Sequence, residues 1–147
     1  MAEITPRFAQ LIGQTEKALN AILDRQLAGA VTEPQWVTLV LVAGSNGTAD
    51  HDRLTARVAD ALKTDEETAA SHIGQLTAKG LVGVAPDASA AVALTGTGQL
   101  LLGRVQKQIG PVTARLWGDL PATDFEAACR VLSTVLERAE SELRPAS

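Results

Sequence analysis

The chain has 147 residues, enough for one domain or one compact domain with helical arms. It is 46% hydrophobic but only 3% aromatic and lacks tyrosine, so its core must be leucine, valine and alanine packing, which suits helix-on-helix contacts. The net charge of −4 and a pI near 5.1 argue against nonspecific attraction to nucleic acid or anionic membrane, while leaving room for a local basic patch.

Thr5-Pro6 opens the first predicted helix, with proline at a tolerated early position. Phe8, Leu11, Ile12, Thr15, Leu19, Ile22, Leu23 and Leu27 recur at three- and four-residue spacing and give it a long apolar face. Gly29 stops it. Thr32-Glu33-Pro34-Gln35 has the form of a capping box, with Thr32 as N-cap and Gln35 reaching back. The helix that follows carries Trp36, Val37, Leu39, Val40, Leu41 and Val42, apolar nearly all round, so it is expected to be buried. Gly44-Ser45-Asn46-Gly47-Thr48 is a loop by composition.

Asp50 or Asp52 caps the next helix, which buries Leu54, Val58, Ala61 and Leu62. After the short Lys63-Thr64 turn, Asp65 caps a further helix whose first turn holds Glu66 and Glu67, where the helix dipole favours acids. Ile73 and Leu76 face inward, and Gly80 ends the helix. Leu81–Ala85 and Ala91–Leu94 flank a Pro86-Asp87 turn and predict a small hairpin. Thr95 caps a helix from about Gly98 to Leu116, which Gly110-Pro111 should kink. Pro121-Ala122-Thr123-Asp124 starts a last helix with Phe125, Ala128, Cys129, Leu132, Val135, Leu136, Ala139 and Leu143 expected inward.

The order helix, turn, helix, hairpin over residues 53–95 is that of a winged helix-turn-helix. Together with Trp36, Val58-Ala59, Lys79-Gly80-Leu81-Val82, Leu94-Thr95-Gly96-Thr97-Gly98 and the Asp119–Glu126 break, it resembles the MarR family of bacterial transcriptional regulators from about residue 8 to 143. The resemblance implies a mainly α (α+β) fold, with a winged helix-turn-helix lobe at 32–95 inside a single domain spanning 1–147. Its recognition helix would be 65–79 and its wing 81–94, with dimerisation helices at 5–30 and 98–144. It further implies a homodimer that binds double-stranded DNA and answers to a small-molecule effector, often aromatic or anionic.

On that reading Arg53, Arg57, Lys63 and Lys79 would grip phosphate, while Thr68, Ser71, His72 and Gln75 would read bases, Gln75 being suited to adenine. Ala69 is expected to be exposed beside them. Relatives place arginines where this chain has Ser71 and Gln75, and an Asp-x-Arg pair in the wing, which here runs Asp87-Ala88-Ser89-Ala90-Ala91. Between residues 50 and 95 four cations (Arg53, Arg57, Lys63, Lys79) stand against seven acids (Asp50, Asp52, Asp60, Asp65, Glu66, Glu67, Asp87), a net charge of −3. Phosphate neutralisation supplies most nonspecific affinity, so such a lobe favours weak binding unless its cations converge. The competing expectation is a protein that keeps the fold, has lost DNA binding, and serves as a small-molecule binder or repurposed enzyme.

Trp36 and Trp117 are candidates to line a ligand pocket, against core or dimer packing as the simpler role. Cys129, at helical spacing with Phe125 and Leu132, reads as a small core residue, and as the only cysteine it permits no internal disulfide. His51 and His72 have no metal-ligand spacing around them, and neither a nucleophile–base arrangement nor a phosphate loop is visible. No catalytic residue, metal or cofactor is therefore expected. No basic flank with an apolar run marks a signal peptide, and the apolar stretches fall short of the ~20 residues a membrane span needs, so a cytoplasmic location is expected.

Overall fold

The structure, a computed structural model, describes residues 4–85 and 91–145. Six helices and a two-stranded hairpin follow one another as α1 (Ile4–Leu27), α2 (Glu33–Ser45), α3 (His51–Leu62), α4 (Glu66–Ala78), β1 (Val82–Val84), β2 (Val92–Leu94), α5 (Gly96–Trp117) and α6 (Ala122–Leu143). The chain divides into two compact units, residues 1–109 and 110–147. The division falls inside α5, between Ile109 and Gly110, and α5 includes Pro111. Among the described residues no helix is long and apolar enough to cross a membrane.

The first unit holds the core. Leu39 and Val42 from α2, Leu54 and Val58 from α3 and Leu76 from α4 are almost completely removed from water, joined by Leu27 at the end of α1 and Val105 on α5. No tyrosine or phenylalanine is needed, and Trp36 is the one aromatic member of this cluster.

Local chemistry sets the helix boundaries. Both halves of the Thr32/Gln35 capping box form: the Gln35 N–H donates to Thr32 Oγ1 at 3.3 Å and the Thr32 N–H donates to Gln35 Oε1 at 3.0 Å. Asp50, not Asp52, caps α3 by accepting from the Arg53 N–H at 2.8 Å, and Asp65 caps α4 through the Thr68 N–H at 2.7 Å. Left-handed residues end the elements: Gly29 after α1, Lys63 after α3 and Gly80 after α4. β1 and β2 pair antiparallel, Val82 opposite Leu94 and Val84 opposite Val92. Ala49 accepts from the Val92 N–H at 2.9 Å, which ties the hairpin to the start of α3.

Thr68 holds the Asp65 carboxyl below the usual carboxylate range, by its backbone N–H first and its hydroxyl second. A folded pKa depressed in this way contributes stability that is present at neutral pH and lost as pH falls through the carboxylate range. Asp65→Asn should therefore lower stability at neutral pH and flatten the acid limb of the stability profile. Urea midpoints measured from neutral to acid pH check this, and an unchanged acid limb would remove the cap from the account.

Several expectations need correction. Ala61 on α3, expected inward, is exposed while Ala59 is buried. Val40 on α2 is 39% exposed, because a buried helix in a small domain still turns one edge to solvent. Helix α5 begins at Gly96, two residues before Gly98, since the Thr95 hydroxyl accepts from the Gly98 N–H at 3.0 Å and so caps the preceding turn. Helix α6 buries none of its residues: Phe125, Leu132 and Leu136 are 42–54% exposed, and Cys129 is exposed, not a core residue. Its apolar stripe is real, but among the described residues nothing buries it.

Candidate nucleic-acid interface

Helices α3 and α4 are joined by the Lys63–Asp65 turn and followed by the β1–β2 hairpin, the helix-turn-helix and wing expected from the sequence. Ala69, Ile73 and Leu76 turn one face of α4 into the core. The opposite face leaves Thr68, Ser71 and Gln75 exposed at i, i+3 and i+7 spacing. Ala69, expected outside, is fully buried: it lies one turn before Ile73, and a methyl group fits where the helix approaches its neighbours most closely. His72 is half-buried and its Nδ1 is buried with no hydrogen-bond partner among the described residues.

Gln75 is exposed but not idle. Gln35 Nε2 donates to Gln75 Oε1 at 2.8 Å, and Gln75 Nε2 donates to Ser71 Oγ at 3.3 Å. The link between α2 and α4 joins residues 40 apart in sequence. One signal for it was present in the sequence: a glutamine in a capping box, unlike a glutamate, has amide hydrogens left over once its oxygen is used, and burial obliges them to find an acceptor.

The four candidate phosphate-gripping cations do not share one setting. Arg53 and Arg57, one turn apart on α3, line a recess of about 340 Å³ with Thr48, Ala49 and Ala56. Neither guanidinium forms an ion pair among the described residues. Lys63 Nζ is held by Asp60, donating to its carbonyl at 2.8 Å and its carboxylate at 3.3 Å. Lys79, the C-cap residue just after α4, lines a different recess of about 480 Å³ with Ala30, Leu81, Thr97, Leu100, Leu101 and Arg104. The wing residues Asp87, Ala88, Ser89 and Ala90 lie outside the described residues.

The lining of the recess at Lys79 combines apolar and cationic side chains. Leu81, Leu100 and Leu101 supply the former, Lys79 and Arg104 the latter. A second recess of about 510 Å³ shares Ala30 and Arg104 with it and adds Arg25, Gln26 and Gln108. Among the described residues no acid lines either one. Neither Trp36 nor Trp117 does: Trp36 is buried in the core and Trp117 is 38% exposed in the second unit. The sequence missed this recess because Lys79 and Leu81, at the α4–β1 junction, meet Arg104 of α5 across a distance no local pattern spans.

No protein-family model and no curated protein matches the chain. Solved structures do. MepR of S. aureus, in complex with DNA, superposes with a TM-score of 0.73 at 18% identity, covering 90% of this chain and 96% of that one. CouR from Rhodococcus jostii RHA1, bound to p-coumaroyl-CoA, gives 0.74 at 16% identity over 87% and 90% of the two chains. A MarR family protein from Bacillus stearothermophilus gives 0.71 at 15% identity over 95% and 98%. With six helices, a two-stranded wing and near-complete overlap in length, the chain has the fold of the MarR-family transcriptional regulators.

Proposed function

We propose that this chain is a cytoplasmic, homodimeric, ligand-responsive DNA-binding regulator of the MarR family, and not an enzyme. The observation that carries the reading is the outward face of α4, where Thr68, Ser71 and Gln75 stand at recognition-helix spacing on a helix-turn-helix backed by a wing. Arg53 and Arg57 supply phosphate contacts. The dimer is supported by the apolar stripe of α6, with Phe125, Leu132, Val135, Leu136 and Leu143 exposed, since a single chain that keeps such a face in water invites association. The paired recesses support a ligand with an apolar body and an anionic group, in the size range of small-molecule sites. Lys79 and Leu81 belong to the end of the recognition helix and the approach to the wing, so a bound ligand would bear directly on the DNA-reading elements.

The test is titration of duplexes from the chain's own upstream region, with salt varied and the mass in solution measured. The expected result is a dimer that binds with strong salt dependence and is released by an aromatic carboxylate or acyl thioester. A folded dimer that binds no such duplex at low salt overturns it. The second reading, a small-molecule binder that has lost DNA binding, is favoured by the net charge of −3 between residues 50 and 95, and it predicts ligand binding without any duplex affinity.

A further inference from the structure

The hydrogen bonds around Gln75 form a directed chain whose polarity is set by a backbone group. The Thr32 N–H is a donor that cannot reverse, and it donates to Gln35 Oε1 at 3.0 Å. That fixes the Gln35 amide, so its Nε2 is the end left for Gln75, and it donates to Gln75 Oε1 at 2.8 Å. Gln35 is 6% exposed, so its amide is not free to exchange its ends through water. Gln75 is oriented in its turn, oxygen toward Gln35, and its Nε2 donates to Ser71 Oγ at 3.3 Å. The hydrogens left over are the second hydrogen of Gln75 Nε2 and the hydroxyl hydrogen of Ser71, while the Gln75 oxygen is turned toward Gln35.

Resting on the DNA-binding reading above, we infer that Gln35 is a positioning residue for base readout, and that the Ser71–Gln75 pair it orients selects guanine. In the major groove guanine presents two acceptors, N7 and O6, whereas adenine presents the acceptor N7 beside the donor N6 amino group. An unrestrained glutamine reads adenine by accepting with its oxygen and donating with its nitrogen. Here the Gln75 oxygen is turned toward Gln35, so the pair offers its two free hydrogens, and adenine N7 can accept only one of them while the amino group beside it is itself a donor. Guanine satisfies both.

The experiment is selection of the full chain on randomised duplexes, followed by affinities for single-base variants of the selected site. The position read by Gln75 is the one whose preference collapses in Gln75→Ala. Guanine is expected there over adenine by about tenfold, within the range of a paired base contact. Gln35→Glu keeps the capping box, because glutamate is a usual partner at that position, but it offers Gln75 an acceptor. The Gln75 amide must then turn over, its nitrogen to Glu and its oxygen to the Ser71 hydroxyl, which leaves acceptors outward. The preference is expected to swing by about tenfold or more toward adenine or cytosine, the bases that display amino donors, with other positions unchanged. Gln35→Met, which removes the relay without reversing it, should bring guanine and adenine within about threefold. Adenine preferred by the native chain, or a preference that Gln35→Glu leaves alone, overturns the relay while leaving DNA binding intact. A folded dimer that binds no duplex overturns the DNA-binding reading and the relay with it.

Discussion

Gly98→Ala should destabilise the chain by about 2–4 kcal/mol, although alanine is the better helix former by about 1 kcal/mol. Gly98 is buried in the first turn of α5, and a Cβ there would collide with the carbonyl oxygen of Leu81 and lie 3.0 Å from its carbonyl carbon. That carbonyl has no room to rotate: it accepts from the Thr95 N–H at 3.0 Å, while the Leu81 N–H donates to Leu76 at 3.0 Å. The Thr95 hydroxyl, which caps Gly98, also donates to the Gly80 carbonyl at 2.6 Å. The end of α4, the approach to β1 and the start of α5 are thus stapled backbone to backbone, and one methyl group must push them apart. Gly103→Ala is the control. It lies on the same helix with open space where its Cβ would go, so it should stabilise by up to about 1 kcal/mol. Opposite signs in urea midpoints are expected; a neutral Gly98→Ala would mean that the junction is not close-packed.

The same junction illustrates how far sequence reasoning reaches. Leu94-Thr95-Gly96-Thr97-Gly98 marked a strand-to-helix turn, because caps and glycines act over three or four residues and leave a local signature. Thr32 with Gln35, Asp65 with Thr68, and Gly80 were legible for the same reason, and each forms as expected. Gly98's particular need, a close approach to Leu81, is not local and could not be read. Ala69 went wrong because alanine suits either face of a helix, so only the packing of α4 decides. The stripe on α6 was read as inward because periodicity reports that a face needs covering, not which chain covers it. The candidate interface was legible as a set of residues but not as a circuit: Ser71 and Gln75 are exposed as expected, while their tie to Gln35 crosses the fold. Lys63 stood three residues from Asp60, a spacing that does foretell its engagement.

Removing two charges, Arg53→Ala with Arg57→Ala, should weaken duplex binding on the order of a hundredfold or more at 0.1 M salt, by the same factor for good and poor sites. The argument starts from scarcity. A lobe with net charge −3 has four cations, Lys63 spends its ammonium on Asp60, and Lys79 sits with Arg104 beside an apolar recess. Arg53 and Arg57 are exposed on α3 and line one recess that carries no acid. In the proposed dimer the pair contributes four guanidinium groups, and each phosphate neutralised adds about 0.9 to the slope of log affinity against log salt. The double variant should therefore lose up to about 3.6 of that slope, whereas Arg53→Lys with Arg57→Lys, which keeps the charges, should retain most of it. Lys63→Ala should cost far less, because its charge is already partly answered. A double alanine variant that keeps both affinity and slope would move the phosphate grip elsewhere, and Lys79 would be the next residue to replace. Uniform loss here, set against a loss confined to one base position on changing Gln35, separates the residues that hold DNA from those that read it.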